Sequence, residues 1–209
     1  ALLGASEIKD IYIPKTVKKL KLKSINRRGW YVDQRFLNPI TYHIDEENEY
    51  FFKDEDSIYE VLEDGTYKLL MNLYDGKGKA LILEGTSVIG RCAFEGHKNL
   101  KDVEFPASLR VIEDMAFRDT ALKTLNVPAH VQSIGESAFS MCNELKNVTL
   151  SPDIETIASN AFEGCWELKK IKTAGKKKAF TFSDGVIAKI PSENTGGPSG
   201  ASNYKYPWM

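Results

Sequence analysis

Apolar and small residues recur through the middle of the chain with a period of about two dozen residues. The pair Ala-Phe occurs four times, with spacings of 23, 22 and 23 residues. The four pairs are Ala93-Phe94, Ala116-Phe117, Ala138-Phe139 and Ala161-Phe162. A fixed period in this range is typical of a solenoid, in which each repeat is one supersecondary unit that stacks on the next. The pattern therefore predicts an elongated architecture of stacked coils.

A longer series of apolar positions surrounds each pair. It reads L-x-x-I-x-I-P-x-x-V-x-x-I, then a short link, then A-F-x-x-C/T-x-x-L. The alternation in L-x-x-I-x-I predicts a short β-strand, and the proline ends it because proline cannot donate to a ladder. Since so short a strand is not stable alone, we expect it to pair in parallel with the same strand of the next repeat. The Ile and Val positions then form continuous apolar columns.

The Ala-Phe segment itself predicts one tight helical turn with the phenylalanine pointing inward. Stacking the repeats would place four rings in a single file along the axis. We assign these residues a structural role and no catalytic one. They are Phe94, Phe117, Phe139 and Phe162.

The pattern divides one continuous domain into four parts. Residues 1–26 hold a partial N-terminal repeat, residues 27–79 an irregular enlarged coil with a β-hairpin at Asp64-Gly65, and residues 80–173 four leucine-rich repeats. Residues 174–209 are expected to form a hairpin cap, with Ser183-Asp184-Gly185 as its turn, and a tail. The first residues fall in mid-repeat, which favours a cut inside a longer array over a degenerate N-terminal cap.

One stretch carries a family resemblance. Residues 134–145, I-G-E-S-A-F-S-M-C-N-E-L, resemble the BspA-type or Treponema pallidum type leucine-rich repeat in length and in the signature I-G-x-x-A-F-x-x-C. The proline after the strand is also similar. The resemblance implies a right-handed solenoid of short parallel strands and short helical turns. It also implies an extracellular or cell-surface location in host-associated microbes, and adhesion to host proteins or other cells.

Composition and motifs narrow the function further. The chain has 209 residues and a net charge of −1, so its overall charge gives no reason to expect nucleic-acid binding. No apolar run approaches the length of a membrane span, so this segment is not expected to insert into a membrane. Hydrolase, metalloprotease, P-loop and dinucleotide motifs are missing from the sequence. We therefore predict no enzymatic activity, no cofactor and no metal site.

A file of lysines is the candidate ligand surface. The residue after the first leucine of each repeat is Lys101, Lys123, Lys146 or Lys169. A second variable position on the same strands contributes Glu104, Asn126, Thr149 and Lys172. One interpretation is a solvated face whose long side chains splay apart. The other is a surface that binds an anionic partner, either a host or microbial protein or an acidic glycan.

The sequence thus predicts a non-catalytic, surface-exposed binding or adhesion module that uses the solenoid strand face. The alternative is a structural spacer or assembly segment of a larger cell-surface protein. The oligomeric state stays open at this point.

Two cysteines share one repeat position. Cys142 and Cys165 are 23 residues apart and are expected to be neighbours in adjacent coils. They are either buried thiols that fill a tight turn or, if their Cβ atoms come within about 4.5 Å, a disulfide.

Overall fold

A computed structural model describes residues 9–20, 40–73, 78–175, 180–183 and 186–189. These residues form β-strands and turns and contain no helix. The N-terminal strands are β1 (Asp10–Ile13), β2 (Thr41–Ile44), β3 (Phe51–Lys53), β4 (Ser57–Val61) and β5 (Tyr67–Asn72). The repeats contribute β6 (Lys79–Leu81), β7 (Thr86–Ile89), β8 (Asp102–Glu104), β9 (Val111–Ile112), β10 (Thr124–Asn126), β11 (Ser133–Ile134), β12 (Asn147–Leu150), β13 (Thr156–Ile157) and β14 (Lys170–Thr173). The last two strands are β15 (Phe180–Ser183) and β16 (Val186–Lys189).

The predicted repeat strands stack in parallel on one side of the solenoid, which we call the strand face. Strand β6 pairs with β8, and β10, β12 and β14 form a second parallel group. Leu125, Val148 and Ile171 lie directly above one another in register. Leu125 and Val148 are buried, whereas the residues on either side of them are more accessible. The predicted parallel pairing and the apolar columns are therefore confirmed.

A second ladder of strands lies across the core from the strand face. Strands β7, β9, β11 and β13 pair in parallel and continue through β5, β4 and β3 into one seven-stranded sheet. The sequence did not predict these repeat strands. Strands β9, β11 and β13 are only two residues long, so they are too short to show the alternation that identifies a strand.

The Ala-Phe segments correct the prediction of a helical turn. Along each segment the backbone amides alternate. One donates to a carbonyl of its own coil, and the next donates to a carbonyl of the following coil. In one coil the Phe117 N–H donates to the Ala138 carbonyl at 2.8 Å and the Asp119 N–H to the Ser140 carbonyl at 2.9 Å. The intervening Arg118 N–H donates within the coil to Met115 at 3.1 Å. Because every second amide is committed to the neighbouring coil, the segment cannot propagate the bonding pattern of a helix. We call this side the turn face.

The four phenylalanines form the predicted single file. Neighbouring ring centroids are 4.8, 5.2 and 5.4 Å apart, and the rings are within 8° of parallel. All four side chains are buried in the main hydrophobic core. The alanine before each ring is also fully buried, and three of these alanines accept a hydrogen bond from the phenylalanine amide of the previous coil.

The N-terminal strands form a smaller core of their own. Strand β1 pairs in parallel with β2 along its whole length. Strands β3, β4 and β5 are antiparallel, and the turn between β4 and β5 contains Asp64-Gly65, as the hairpin signal predicted. The buried members of this cluster are Ile13, Tyr42, Ile58 and Met71.

The hairpin of the C-terminal end is also present. Strands β15 and β16 pair antiparallel, and Ile187 joins the main core. The described part of the chain does not include residues 1–8, residues 21–39, the turn residues 184–185 or the tail after residue 189.

One glycine marks a close approach between coils, and substituting it should destabilise the fold. A Cβ on Gly135 would lie 2.6 Å from the Asp114 Oδ1 atom, 2.7 Å from the Asp114 amide nitrogen and 2.9 Å from the Glu113 carbonyl carbon. Since backbone atoms cannot move aside cheaply, we expect Gly135→Ala to lower the free energy of unfolding by about 1–3 kcal/mol. Urea unfolding followed by circular dichroism measures this loss of stability.

The matched control is Ala158→Gly, at the equivalent position of the next repeat, which should cost no more than about 1 kcal/mol. Equal stability of Gly135→Ala and the unsubstituted chain would show that the two coils are not in close backbone contact at this point.

Candidate functional site

The candidate lysines form one continuous file along the strand face. The Lys123 N–H donates to the Lys101 carbonyl at 3.4 Å, the Lys146 N–H to Lys123 at 3.0 Å and the Lys169 N–H to Lys146 at 3.1 Å. These bonds join the same position in successive coils, so the four side chains leave the backbone one above another. All four residues are exposed. The structure therefore brings the lysines together, although their role in binding stays a prediction.

The other candidate residues form a second outward column beside the lysine file. Asn126 is in register with Thr149, and Thr149 with Lys172. Glu104 holds the same repeat position one coil earlier. Glu104, Asn126 and Lys172 are exposed and Thr149 is half-buried. The outward strand positions thus change from acidic at Glu104 to basic at Lys172.

Ion pairs neutralise part of this surface. Lys79 Nζ lies 2.8 Å from Glu104 Oε2, and Lys123 Nζ lies 3.8 Å from Glu144 Oε2. No ion pair within the described residues involves Lys146 or Lys169. Lys101 also has no ion pair there, but it is followed by Asp102, whereas Lys170 and Lys172 follow Lys169 on the last strand. The uncompensated positive charge of the strand face is therefore greatest in its last two coils.

The two cysteines are buried free thiols in adjacent coils. Each donates a hydrogen bond to a carbonyl of the preceding coil: Cys142 Sγ to Phe117 at 3.2 Å and Cys165 Sγ to Phe139 at 3.0 Å. The hydrogen bond with Cys142, together with burial, raises the pKa of the Cys165 thiol. This thiol therefore stays protonated at neutral pH and serves the packing between coils.

Metal binding and catalysis have little geometric support in the described residues. Across the described ranges, no three potential metal-ligating side chains cluster. An open cleft of about 440 Å³ is lined by residues 42–46, 48 and 51–53. Near it, His43 Nε2 lies 2.9 Å from Asp10 Oδ1, and the His43 ring stacks on Tyr12 with centroids 4.4 Å apart. This pair has no third catalytic group within hydrogen-bond distance among the described contacts.

Sequence reasoning missed one exposed aromatic residue in the last repeat. Trp166 is 82% exposed, in the link between the final Ala-Phe segment and β14. The equivalent residue in the previous coil is Asn143. The sequence did contain a signal for this residue, because the other repeats have a polar or small residue at the same link position.

Each coil contributes one short strand to each of two parallel ladders, and the file of buried phenylalanines lies between the ladders. This arrangement defines a leucine-rich-repeat solenoid. The sequence model of the BspA type leucine rich repeat region matches residues 78–184 in six copies. The chain belongs to this family. The six copies extend past residue 173, where the four repeats predicted from the sequence end.

Solved structures with a similar fold are bacterial leucine-rich-repeat proteins. A leucine rich cell surface protein from Faecalibacterium prausnitzii is 20% identical, with a TM-score of 0.53, over 81% of this chain and 48% of its own. The pneumococcal vaccine antigen PcpA is 22% identical, with a TM-score of 0.58, over 88% of this chain and 49% of its own. A leucine-rich repeat protein from Bacteroides capillosus is 24% identical, with a TM-score of 0.55, over 61% of this chain and 100% of its own.

These similarities establish the fold. The chain spans about half the length of the first and second of these proteins. No curated protein matches the chain in sequence. Within the described ranges, no helix has the length and apolar character needed to span a bilayer.

Proposed function

We propose that this chain is a non-catalytic binding module of an extracellular or cell-surface protein, and that its strand face recognises an anionic partner. Proteins of this repeat family are generally surface proteins whose repeats bind other proteins. One of the structural relatives is described as a cell surface protein and another as a vaccine antigen. An acidic protein segment or an acidic glycan is the partner class that fits the surface charge.

The lysine file is the observation that carries this proposal. Parallel strands are about 4.8 Å apart, so successive lysines emerge close enough for their like charges to repel. An extended anionic partner laid along the axis would relieve this repulsion at several coils at once. The gain from one exposed pair is small, on the order of 0–1 kcal/mol, but a periodic partner adds such contacts in register.

The last two coils should contribute most of the binding. Lys146 and Lys169 have no intramolecular ion pair within the described residues, and Lys170 and Lys172 follow on the final strand. Lys123, in contrast, faces Glu144 at 3.8 Å. A negative partner therefore meets uncompensated charge at Lys146 and Lys169, whereas at Lys123 it competes with a carboxylate already in place.

The test is an array of glycans and host-matrix proteins probed with the chain and with Lys146→Glu/Lys169→Glu. We expect the double reversal to weaken binding to the best anionic ligand by at least about tenfold, because each reversal replaces an attraction with a repulsion. Raising the salt concentration from about 0.15 M to about 0.5 M should weaken binding of the unsubstituted chain, since salt screens exposed charges.

The matched control is Lys19→Glu/Lys53→Glu, which makes the same change in net charge at exposed lysines outside the strand face. It should retain binding. If both double variants lose binding equally, the interaction depends on net charge and the strand face is not the site.

A spacer or assembly role is the second candidate. The partly neutralised charges at Lys79–Glu104 and Lys123–Glu144 favour it, because a face that balances its own charge needs no ligand. Failure of every anionic probe on the array would support this role over binding.

A further inference from the structure

The turn face propagates a regular hydrogen-bond ladder along the solenoid. Counting from the phenylalanine, the amides at that residue and two residues later donate to carbonyls of the next coil. Phe94 and Gly96 donate to Ala116 and Arg118 at 2.7 and 2.8 Å. The pattern repeats from Phe117 and Asp119, and again from Phe139 and Met141, which donate to Ala161 and Glu163 at 2.8 Å each. Three successive coils thus point the same two donors toward the C-terminal end.

The final coil has the same two amide donors, but the described residues contain no next coil to accept from them. Its internal bonds match those of the earlier coils, since Glu163 N–H donates to Asn160 at 3.1 Å and Cys165 N–H to Phe162 at 3.2 Å. The Phe162 and Gly164 amides are the equivalents of Phe139 and Met141. Within the described part of the chain, no carbonyl accepts from either of them. An unpaired amide in a residue as buried as Phe162 carries a substantial desolvation cost, so this position favours an acceptor.

The hairpin at this end covers a different side. Strand β15 lies next to β14, at the edge of the strand face, and Ile187 of β16 enters the core. Neither described strand of the hairpin bonds to the 160–164 segment. The strand face is therefore continued past the last coil, whereas on the turn face the described residues supply no acceptor for the last two donors.

Trp166 is an independent observation at the same place. It follows Gly164 by two residues and is 82% exposed. Tryptophan is enriched at the centres of protein interfaces because its large ring buries much area at little entropic cost. Two backbone donors and, two residues further along the chain, an exposed indole provide the pairing and the anchor that strand addition requires.

We propose that the C-terminal edge of the turn face, formed by residues 160–164 and Trp166, is a docking site for an extended polypeptide segment of a partner protein. The segment would continue the ladder by placing alternate carbonyls opposite the Phe162 and Gly164 amides and an apolar side chain against Trp166. A polypeptide is favoured because the site consists of backbone donors at every second residue, and an extended chain presents carbonyls at that spacing.

A second copy of this chain fits less well. Head-to-tail stacking would require free turn-face carbonyls on the first coil. There the Ala93 carbonyl already accepts from the Asn72 N–H at 2.9 Å, and the Glu95 carbonyl lies 3.4 Å from His97 Nδ1. These turn-face carbonyls of the first Ala-Phe segment therefore already have donors. This surface is separate from the lysine file, so the two proposals stand independently.

Amide hydrogen exchange on the full chain tests the first half of the proposal. We expect the Gly164 and Phe162 amides to exchange at least about tenfold faster than those of Met141 and Phe139, which are bonded to the next coil. Equal protection in the isolated chain would show that residues of the chain itself already cover the edge, and would overturn the proposal.

Selection from a library of random 12-residue peptides tests the second half. Selected peptides should slow exchange at Gly164, and Trp166→Ala should weaken them by about tenfold or more. The control Glu167→Ala, at the neighbouring exposed residue, should retain binding, and so should Lys146→Glu, which separates this site from the lysine file. The proposal fails if no peptide is enriched, or if the enriched peptides bind Trp166→Ala equally well.

Discussion

Phe117→Ala should lower the free energy of unfolding by about 3–5 kcal/mol, the largest effect we expect of any single substitution. The ring is fully buried and lies 4.8 Å from Phe94 and 5.2 Å from Phe139, with a third ring, Phe105, edge-on at 5.8 Å. Removing it leaves a cavity in the middle of the file, and backbone bonds between coils on the turn face limit how far the neighbours can close in. Guanidinium or urea unfolding, followed by near-ultraviolet circular dichroism, measures the loss.

Two companion variants separate the file from ordinary apolar burial. Phe117→Leu keeps most of the volume and should cost clearly less than Phe117→Ala. Phe105→Ala removes a half-buried ring that contacts the file only by its edge, so it should also cost less. If Phe117→Leu costs as much as Phe117→Ala, the loss does not come from the cavity. If Phe105→Ala costs as much as Phe117→Ala, a place in the file contributes nothing beyond hydrophobic area.

Asn48→Ala should have the second largest effect, about 2–5 kcal/mol, because one side chain closes four hydrogen bonds at a nearly buried position. Its Oδ1 accepts from the Tyr50 and Phe51 amides, each at 2.9 Å. Its Nδ2 donates to the carbonyls of Pro14 at 2.9 Å and Val17 at 3.3 Å. The side chain therefore ties the segment after β1 to the start of β3.

The loss should be local as well as large. We expect faster amide exchange in β1 and β2 of Asn48→Ala, while the repeats after β7 keep their protection, because a solenoid transmits instability mainly between neighbouring units. Asp64→Ala is the control. Asp64 accepts from the Thr66 amide at 2.9 Å and the Thr66 hydroxyl at 2.7 Å, but at an exposed hairpin tip. A cost as small as that of the control would contradict a bridging role for Asn48.

The sequence analysis gives no special role to Asn48, which lies within the irregular coil. Its bridging role depends on Pro14 and Val17, which are 34 and 31 residues away. Nothing in the local sequence specifies which distant carbonyls a polar side chain will meet. The lysine file, in contrast, could be predicted from the sequence. Its residues hold the same repeat position, so they lie above one another as soon as the coils stack.

The backbone conformation of the turn face could not be predicted from the local sequence either. The residue two positions after each phenylalanine has a positive φ: 74° at Gly96, 58° at Asp119, 60° at Met141 and 73° at Gly164. Two of these residues are not glycine, so the common backbone conformation is hidden in the sequence. The inter-coil bonds hold Asp119 and Met141 in the left-handed region at a cost of about 1–2 kcal/mol each.

The sequence by itself determined the features that repeat. These are the period, the strand after each first leucine, the single file of phenylalanines and the family. They follow from side-chain polarity at fixed spacing, which is local information reinforced by every copy. The tertiary structure alone decided the second ladder and the non-helical turn face. It also decided which lysines of the last coils have no ion pair, and which donors at residues 162 and 164 have no acceptor, among the described residues. Each of these depends on which backbone group of one coil meets which group of the next, and that pairing is set only when the coils pack.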